Sequence, residues 1–166
     1  MHALVRYLKI NPASVKIEDG NDKPTPQQLV QKAKEKMKDN GYMEGIDKTF
    51  VVCDTENHTS LEAAKVEAKG NNITMITSNP CFEYWILLHL EDTTRPYQNC
   101  ASLTKYLKKE YTYTKGGTYK NGDFSTLIND NLGDAIKRAN KIKQNSDYTL
   151  GSDMPELIST ISPTCT

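Results

Sequence analysis

Ile73-Thr74-Met75-Ile76-Thr77-Ser78-Asn79-Pro80-Cys81-Phe82-Glu83-Tyr84-Trp85-Ile86-Leu87-Leu88-His89-Leu90 is the stretch that decides how this chain folds. Its first four residues form a short β-type run. Its last five form an apolar run too leucine-rich to be only a turn. The junction between them therefore reads as a strand passing into a helix, with Asn79 as the cap and Pro80 at the first helical position. In that register Glu83 falls one residue past the capping-box position, so capping does not explain it. A carboxylate amid so many apolar side chains must be solvated, paired or bound to a cation. Trp85, the only tryptophan, reads as a core residue, with stacking on a nucleotide base as the alternative.

Upstream, Thr49-Phe50-Val51-Val52-Cys53 is an uninterrupted apolar and β-branched run that ends on Asp54. It reads as a central parallel strand buried on both faces. Between these strands, Ser60 is placed to cap a helix from Leu61 to Lys69 that Gly70 stops. Earlier still, Thr25 caps a helix with Pro26 at its first position and Gln28 three residues on, and Asn40-Gly41 ends it. Val15-Lys16-Ile17 alternates as a further strand would. The order predicts an α/β fold: an open, mostly parallel sheet with flanking helices.

After Glu91 the pattern turns mainly helical. Helices are expected over about 102–111, 124–129, 132–144 and 154–161, the last with Asp153 as cap and Glu156 reaching back. Residues 111–122 read as a loop rich in Tyr, Thr, Lys and Gly. One domain over 1–166 is expected, with an α/β core over 1–91 and a helical extension over 92–166.

The chain has 166 residues, with 21 basic against 21 acidic side chains. That balance gives no global field for non-specific nucleic-acid binding, though lysines cluster locally. Cysteines stand at 53, 81, 100 and 165, with no C-x-x-C and no histidine pair to complete a zinc pattern. Cys53 and Cys81 read as small core residues in a reducing compartment. No apolar run is long enough to span a membrane and no signal-peptide core is present, so the expectation is a cytoplasmic protein.

In open α/β sheets, ligands bind beyond the carboxyl ends of the strands. Asp54-Thr55-Glu56-Asn57-His58 and Ser78-Asn79 both fall there. Asp54 and Glu56 are hard oxygen donors suited to Mg²⁺ or Mn²⁺, which activate water and stabilise phosphate displacement. Turn and cap bonds are the alternative reading for the pair. His58 is a candidate proton shuttle or a plain loop histidine. His89, within the apolar helix, reads as a packing residue.

Val51-Val52-Cys53-Asp54-Thr55-Glu56-Asn57-His58, then Ala63-Ala64, then Ser78-Asn79-Pro80-Cys81-Phe82-Glu83-Tyr84-Trp85-Ile86-Leu87-Leu88-His89, resembles the RloB family. Asp134 to Ala139 and Asp153 to Leu157 resemble its C-terminal half. The resemblance implies a Toprim-like fold whose acidic residues hold Mg²⁺ (or Mn²⁺) for phosphodiester chemistry. It implies a place in prokaryotic anti-phage and abortive-infection systems beside an ATPase partner of AAA or ABC type, with DNA or RNA as substrate. Carried over by position, Asp54 and Glu56 match the family's acidic pair after the central strand, and Asn79 and Glu83 match its signature string. With the residue reading added, the expected site has Asp54 and Glu56 as metal ligands, Glu83 and His58 as catalytic groups, and Ser78 and Asn79 as substrate contacts. The family pattern also has an earlier strand ending in a Glu-Gly-Glu type motif, whereas Met1-His2-Ala3-Leu4-Val5 resembles the helix after it. The expectation is a sheet short of one strand and a site short of one glutamate, in a truncated or inactive form. Two further expectations are a homodimer that covers the open sheet, and a non-catalytic subunit that binds the ATPase or nucleic acid. Tyr106, Tyr111, Tyr113 and Tyr119, interleaved with lysines, are the candidate surface for that subunit.

Overall fold

The computed structural model describes residues 2–11, 15–18, 24–56, 58–113, 118–119, 122–145 and 150–162. Along the chain these form α1 (His2–Tyr7), α2 (Pro26–Asp39), β1 (Thr49–Asp54), α3 (Leu61–Gly70), β2 (Ile73–Asn79), α4 (Glu83–Leu90) and α5 (Cys100–Tyr111). There follow β3 (Thr118–Tyr119), β4 (Gly122–Asp123), α6 (Phe124–Lys143), β5 (Gly151–Ser152) and α7 (Met154–Ile161).

Local chemistry sets several of these elements. Thr25 accepts from the Gln28 backbone N–H at 3.3 Å while the Gln28 side chain accepts from Thr25 N at 2.8 Å, the reciprocal box that Thr25-Pro26-Gln27-Gln28 predicts. Gly41 leaves α2 at φ +66, where only glycine is unstrained. Ser60 stands at the cap of α3 but makes no side-chain cap bond. α5 has a second reciprocal box, with Ser102 N donating to Asn99 Oδ1 at 2.8 Å and Asn99 N to Ser102 Oγ at 3.4 Å. Helix α4 is apolar all round, and Tyr84 to His89 are all buried, as a helix without a polar face must be.

The principal sheet differs from the expected one. β1 and β2 pair in parallel, Thr49 opposite Ile73 through Asp54 opposite Ser78, but β5 adds to β2 antiparallel, Ser78 opposite Ser152 and Asn79 opposite Gly151. The sheet is mixed, with three strands in the order β1-β2-β5 among the described residues. β1 is therefore an edge, not a central strand, and Val52 is 36% exposed. A run of β-branched residues reports a fit to a pleated surface, not the number of neighbouring strands. Val15 to Ile17 carries no regular structure.

Two helical layers cover the sheet. On one face Val30, Val51, Ala64, Ala68 and Ile73 join α2 and α3 to β1 and β2. On the other, Ile76 leads into a larger core that draws on Leu4, Trp85, Leu103, Leu127, Ala139 and Ile158. That core runs through both halves of the chain, because α6 packs along α4 and β5 completes the sheet. α6 is one helix, not two. Leu127, Ile128, Leu132, Ala135, Ile136, Ala139 and Ile142 form one buried stripe at helical spacing, which holds Gly133 inside the helix despite its low propensity. Arg138 donates from Nη1 to the Leu88 carbonyl at 2.8 Å and so satisfies an end group of α4.

Of the four tyrosines of the expected surface, Tyr106 and Tyr111 are half-buried. Tyr106 and Tyr111 donate to Glu91 Oε2 at 2.9 and 2.5 Å and pack against the core, and Tyr113 is buried. Tyr119 lies in β3, and its side chain is outside the described residues, as is most of the segment 114–121.

Candidate functional site

The carboxyl ends of β1 and β2 deliver their loops toward the starts of α4 and α5. Asp54 closes β1, and its Oδ1 accepts from Phe82 N at 2.8 Å. Glu56, two residues on, accepts through Oε2 from Cys100 N at 2.6 Å, while its own N–H donates to the Pro80 carbonyl at 3.1 Å. Phe82 N stands at the N-cap of α4 and Cys100 N in the first turn of α5, where backbone donors lack intrahelical partners. Asp54 and Glu56 are thus caps supplied from a neighbouring strand end. Their negative charges lie at the positive ends of two helix dipoles.

Glu83 stands between them as the first residue of α4. Its Oε2 lies 3.5 Å from Cys100 Sγ. Burial, and after it the Glu83 charge, pushes the Tyr113 phenol up to about 12, so Tyr113 is a neutral neighbour of this carboxylate. The three acids of the sequence reading are therefore linked through Phe82 and Cys100. The tighter group, with ligand atoms all within 4.8 Å of one another, is Cys81, Glu83 and Cys100; it includes neither Asp54 nor Glu56.

Cys81 and Cys100 form a disulfide with Cα atoms 5.6 Å apart. Cys81 is the fully buried core residue expected, but its sulfur is bonded to Cys100 and is not a thiol. Cys53 is a free thiol, half-buried and pushed up to about 11 by burial and by the adjacent Asp54 charge. Asn79 is not the cap of α4. Pairing with Gly151 carries β2 through Asn79, a cis peptide joins it to Pro80, and the helix begins at Glu83. Ser78 is 2% exposed, with its hydroxyl 2.8 Å from that of Ser152, so its side chain is a buried cross-strand partner. His58 is half-buried in the turn before α3, where its carbonyl accepts from Leu61 N at 3.2 Å.

Asp153 was legible only as a cap for α7. It holds the cap position, but its carboxylate crosses to β2 instead: Oδ2 accepts from Thr77 N at 3.2 Å and from Thr77 Oγ1 at 2.6 Å, and Oδ1 pairs with Lys143 Nζ at 3.0 Å. Burial would raise its pKa, but the Thr77 hydroxyl and Lys143 outweigh burial and hold the carboxyl below its ordinary value. A native pKa below the unfolded one stabilises the fold above the usual carboxylate range, and the gain is lost as pH falls through the native value. Asp153→Ala should therefore cost about 1–3 kcal/mol near neutrality, with the deficit relative to wild type shrinking in acid. Urea midpoints at about pH 7 and about pH 3 measure both.

Side-chain alternation separates these acids. Thr77 and Asp153 meet on the α3 side of the sheet, whereas Asp54 faces α4 with Phe50 and Ser78. A shallow depression lined by Tyr42, Glu44, Lys48, Lys65, Lys69 and Asn72 lies at the opposite, amino end of β2, away from this cluster. Among the described residues no helix is long and apolar enough to cross a membrane.

A family model described as RloB-like protein matches residues 2–161, nearly the whole chain. The chain belongs to the RloB-like family. No curated protein and no solved structure matches it.

Proposed function

We propose that this member of the RloB-like family is a metal-dependent phosphodiesterase of DNA or RNA, built on a Toprim-like scaffold and acting in prokaryotic anti-phage defence. The observation that carries the reading is the tie between three carboxylates and one pair of helix starts: Asp54 on Phe82 N, Glu56 on Cys100 N, and Glu83 beside Cys100. Carboxylate oxygens are the donors a hard cation takes; binding would require Asp54 and Glu56 to turn onto one ion, since they belong to no common ligand group with Glu83 in this structure. Asp54 and Glu56 would hold Mg²⁺ or Mn²⁺, which when bound supplies an activated water and charge stabilisation at phosphorus. Glu83 takes a proton from the attacking water, and His58 returns one to the leaving oxygen. Ser78 shapes the turn from within, and Asn79 orients a phosphate at its rim. An ATPase subunit and a second copy of the chain are the partners this reading expects.

A second reading is a non-catalytic subunit that binds the ATPase or nucleic acid. It is favoured by the hydrogen bonds through which Asp54 and Glu56 already serve as caps. One pair of variants separates the two. Asp54→Asn keeps an acceptor for Phe82 N but removes the charge a cation needs, whereas Asp54→Ala removes both. The enzyme reading expects Mg²⁺- or Mn²⁺-dependent cleavage that both variants abolish, with Asp54→Asn near wild-type stability and Asp54→Ala less stable by about 1–3 kcal/mol. Undiminished cleavage in a folded Asp54→Asn protein, or no cleavage with any divalent ion while partner binding persists, selects the subunit.

A further inference from the structure

We propose that Cys81, Glu83 and Cys100 bind a zinc ion when the Cys81–Cys100 disulfide is reduced. The site shares Glu83 with the phosphodiesterase reading but does not rest on it, and it uses softer donors. Its ligand atoms already lie within 4.8 Å of one another. A tetrahedral zinc with Zn–S of about 2.3 Å and Zn–O of about 2.1 Å sets sulfur and oxygen roughly 3.6 Å apart. Glu83 Oε2 and Cys100 Sγ are 3.5 Å apart in the disulfide form. The same geometry needs the sulfurs about 3.8 Å apart. Side-chain rotation alone supplies that separation between residues whose Cα atoms are 5.6 Å apart.

The surroundings favour the charged ligands. Glu83 and Cys100 are the first residues of α4 and α5, and the positive ends of the helix dipoles stabilise a carboxylate and a thiolate there. Cys81 is fully buried, while Glu83 and Cys100 are half-buried. The ion would thus be gripped from the protein side and left one position for water.

The chemistry balances in two steps. A dithiol reductant gives two electrons and two protons to the Cys81–Cys100 bond, yielding two thiols, and leaves as its own disulfide. Zinc then displaces the two thiol protons and takes the Glu83 carboxylate as third ligand. A disulfide oxidant reverses the sequence and expels the metal. Glu83 belongs to this group and is also the proton acceptor of the phosphodiesterase reading, so the redox state of the cysteines decides whether its carboxylate is a zinc ligand or is free for that role.

The test uses the full chain reduced with a phosphine, and Co²⁺ as the spectroscopic probe. One equivalent should produce thiolate-to-cobalt charge-transfer and tetrahedral ligand-field bands, which Zn²⁺ abolishes and the oxidised chain never shows. Cys53→Ser should keep the bands, Cys100→Ser should lose the charge-transfer intensity of one thiolate, and Glu83→Gln should weaken cobalt binding about tenfold or more. In the unmodified reduced chain, Zn²⁺ should protect Cys81 and Cys100 from alkylation, read by mass spectrometry, which needs no variant to fold. Absent thiolate bands, bands unchanged in Cys100→Ser, or equal alkylation with and without Zn²⁺ would each overturn the site. None of these outcomes bears on divalent-ion-dependent cleavage.

Discussion

Trp85→Ala should destabilise the protein by about 3–5 kcal/mol. For a chain of this size that lowers the midpoint of thermal unfolding by about 10 °C or more. Trp85 is 2% exposed and sits in α4, the helix against which β2, β5, α5 and α6 all pack. Its ring meets His89 edge-on at 4.7 Å between centroids. Truncation to a methyl group removes the largest side chain of that core. Little can collapse into the space, because α6 is tied to α4 through Arg138 and the Leu88 carbonyl. Since the variant also lacks the only tryptophan, far-ultraviolet circular dichroism must follow the melt. A loss under about 1 kcal/mol would mean that α4 is not packed from all sides.

The second large effect is acid sensitivity centred on His89. This side chain is 2% exposed, its Nδ1 lies 2.9 Å from the Trp85 carbonyl, and its pKa is lowered to about 4. Burial is the main cause; the hydrogen bond to Trp85 opposes it, and the Arg138 charge adds to it. In the unfolded chain the imidazole titrates near its ordinary value of about 6.5. Between those two values the unfolded state binds more protons than the native one, so stability falls as pH drops through this window. The loss reaches about 3 kcal/mol by about pH 4, at about 1.36 kcal/mol per unit. His89→Phe keeps a ring against Trp85 and cannot titrate. The difference between wild type and His89→Phe should therefore change in favour of the variant by about 3 kcal/mol from about pH 7 to about pH 4. Urea titrations of both proteins at each pH cancel the titration of the carboxylates they share. Parallel pH curves for the two proteins would show that His89 charges in the folded state at its ordinary value.

Both effects arise on a helix whose character is plain in the sequence, and the outcomes elsewhere show where such reading stops. The Thr25-Pro26-Gln28 box and Gly41 fix the two ends of α2 because every group involved lies within a few residues. α7 begins at Met154 and ends at Ile161 as expected, yet the Asp153 carboxylate leaves its own helix for Thr77, 76 residues away in sequence. Asn79 and Pro80 have the composition of a helix start, but two residues of β5 extend β2 past it. Gly151-Ser152 has no β-propensity of its own to announce that pairing.

The candidate site divides in the same way. Asp54, Glu56 and Glu83 stood out because acids at strand ends and helix starts are few and recognisable. Cys100 did not, because a disulfide partner is a distance between chain segments and has no local signature.

By itself, then, the sequence determined the places of α2, β1, α3, β2 and α7, that Trp85 and His89 are packing residues, and that acids gather at the carboxyl ends of β1 and β2. These follow from periodicity, capping and propensity, which act over a few residues. Tertiary structure alone decided that β1 is an edge, that β5 runs antiparallel, that Cys81 meets Cys100, and that Asp54 and Glu56 cap helices begun elsewhere. Those outcomes depend on packing and hydrogen bonds between residues far apart in the chain, whose energies no local window contains.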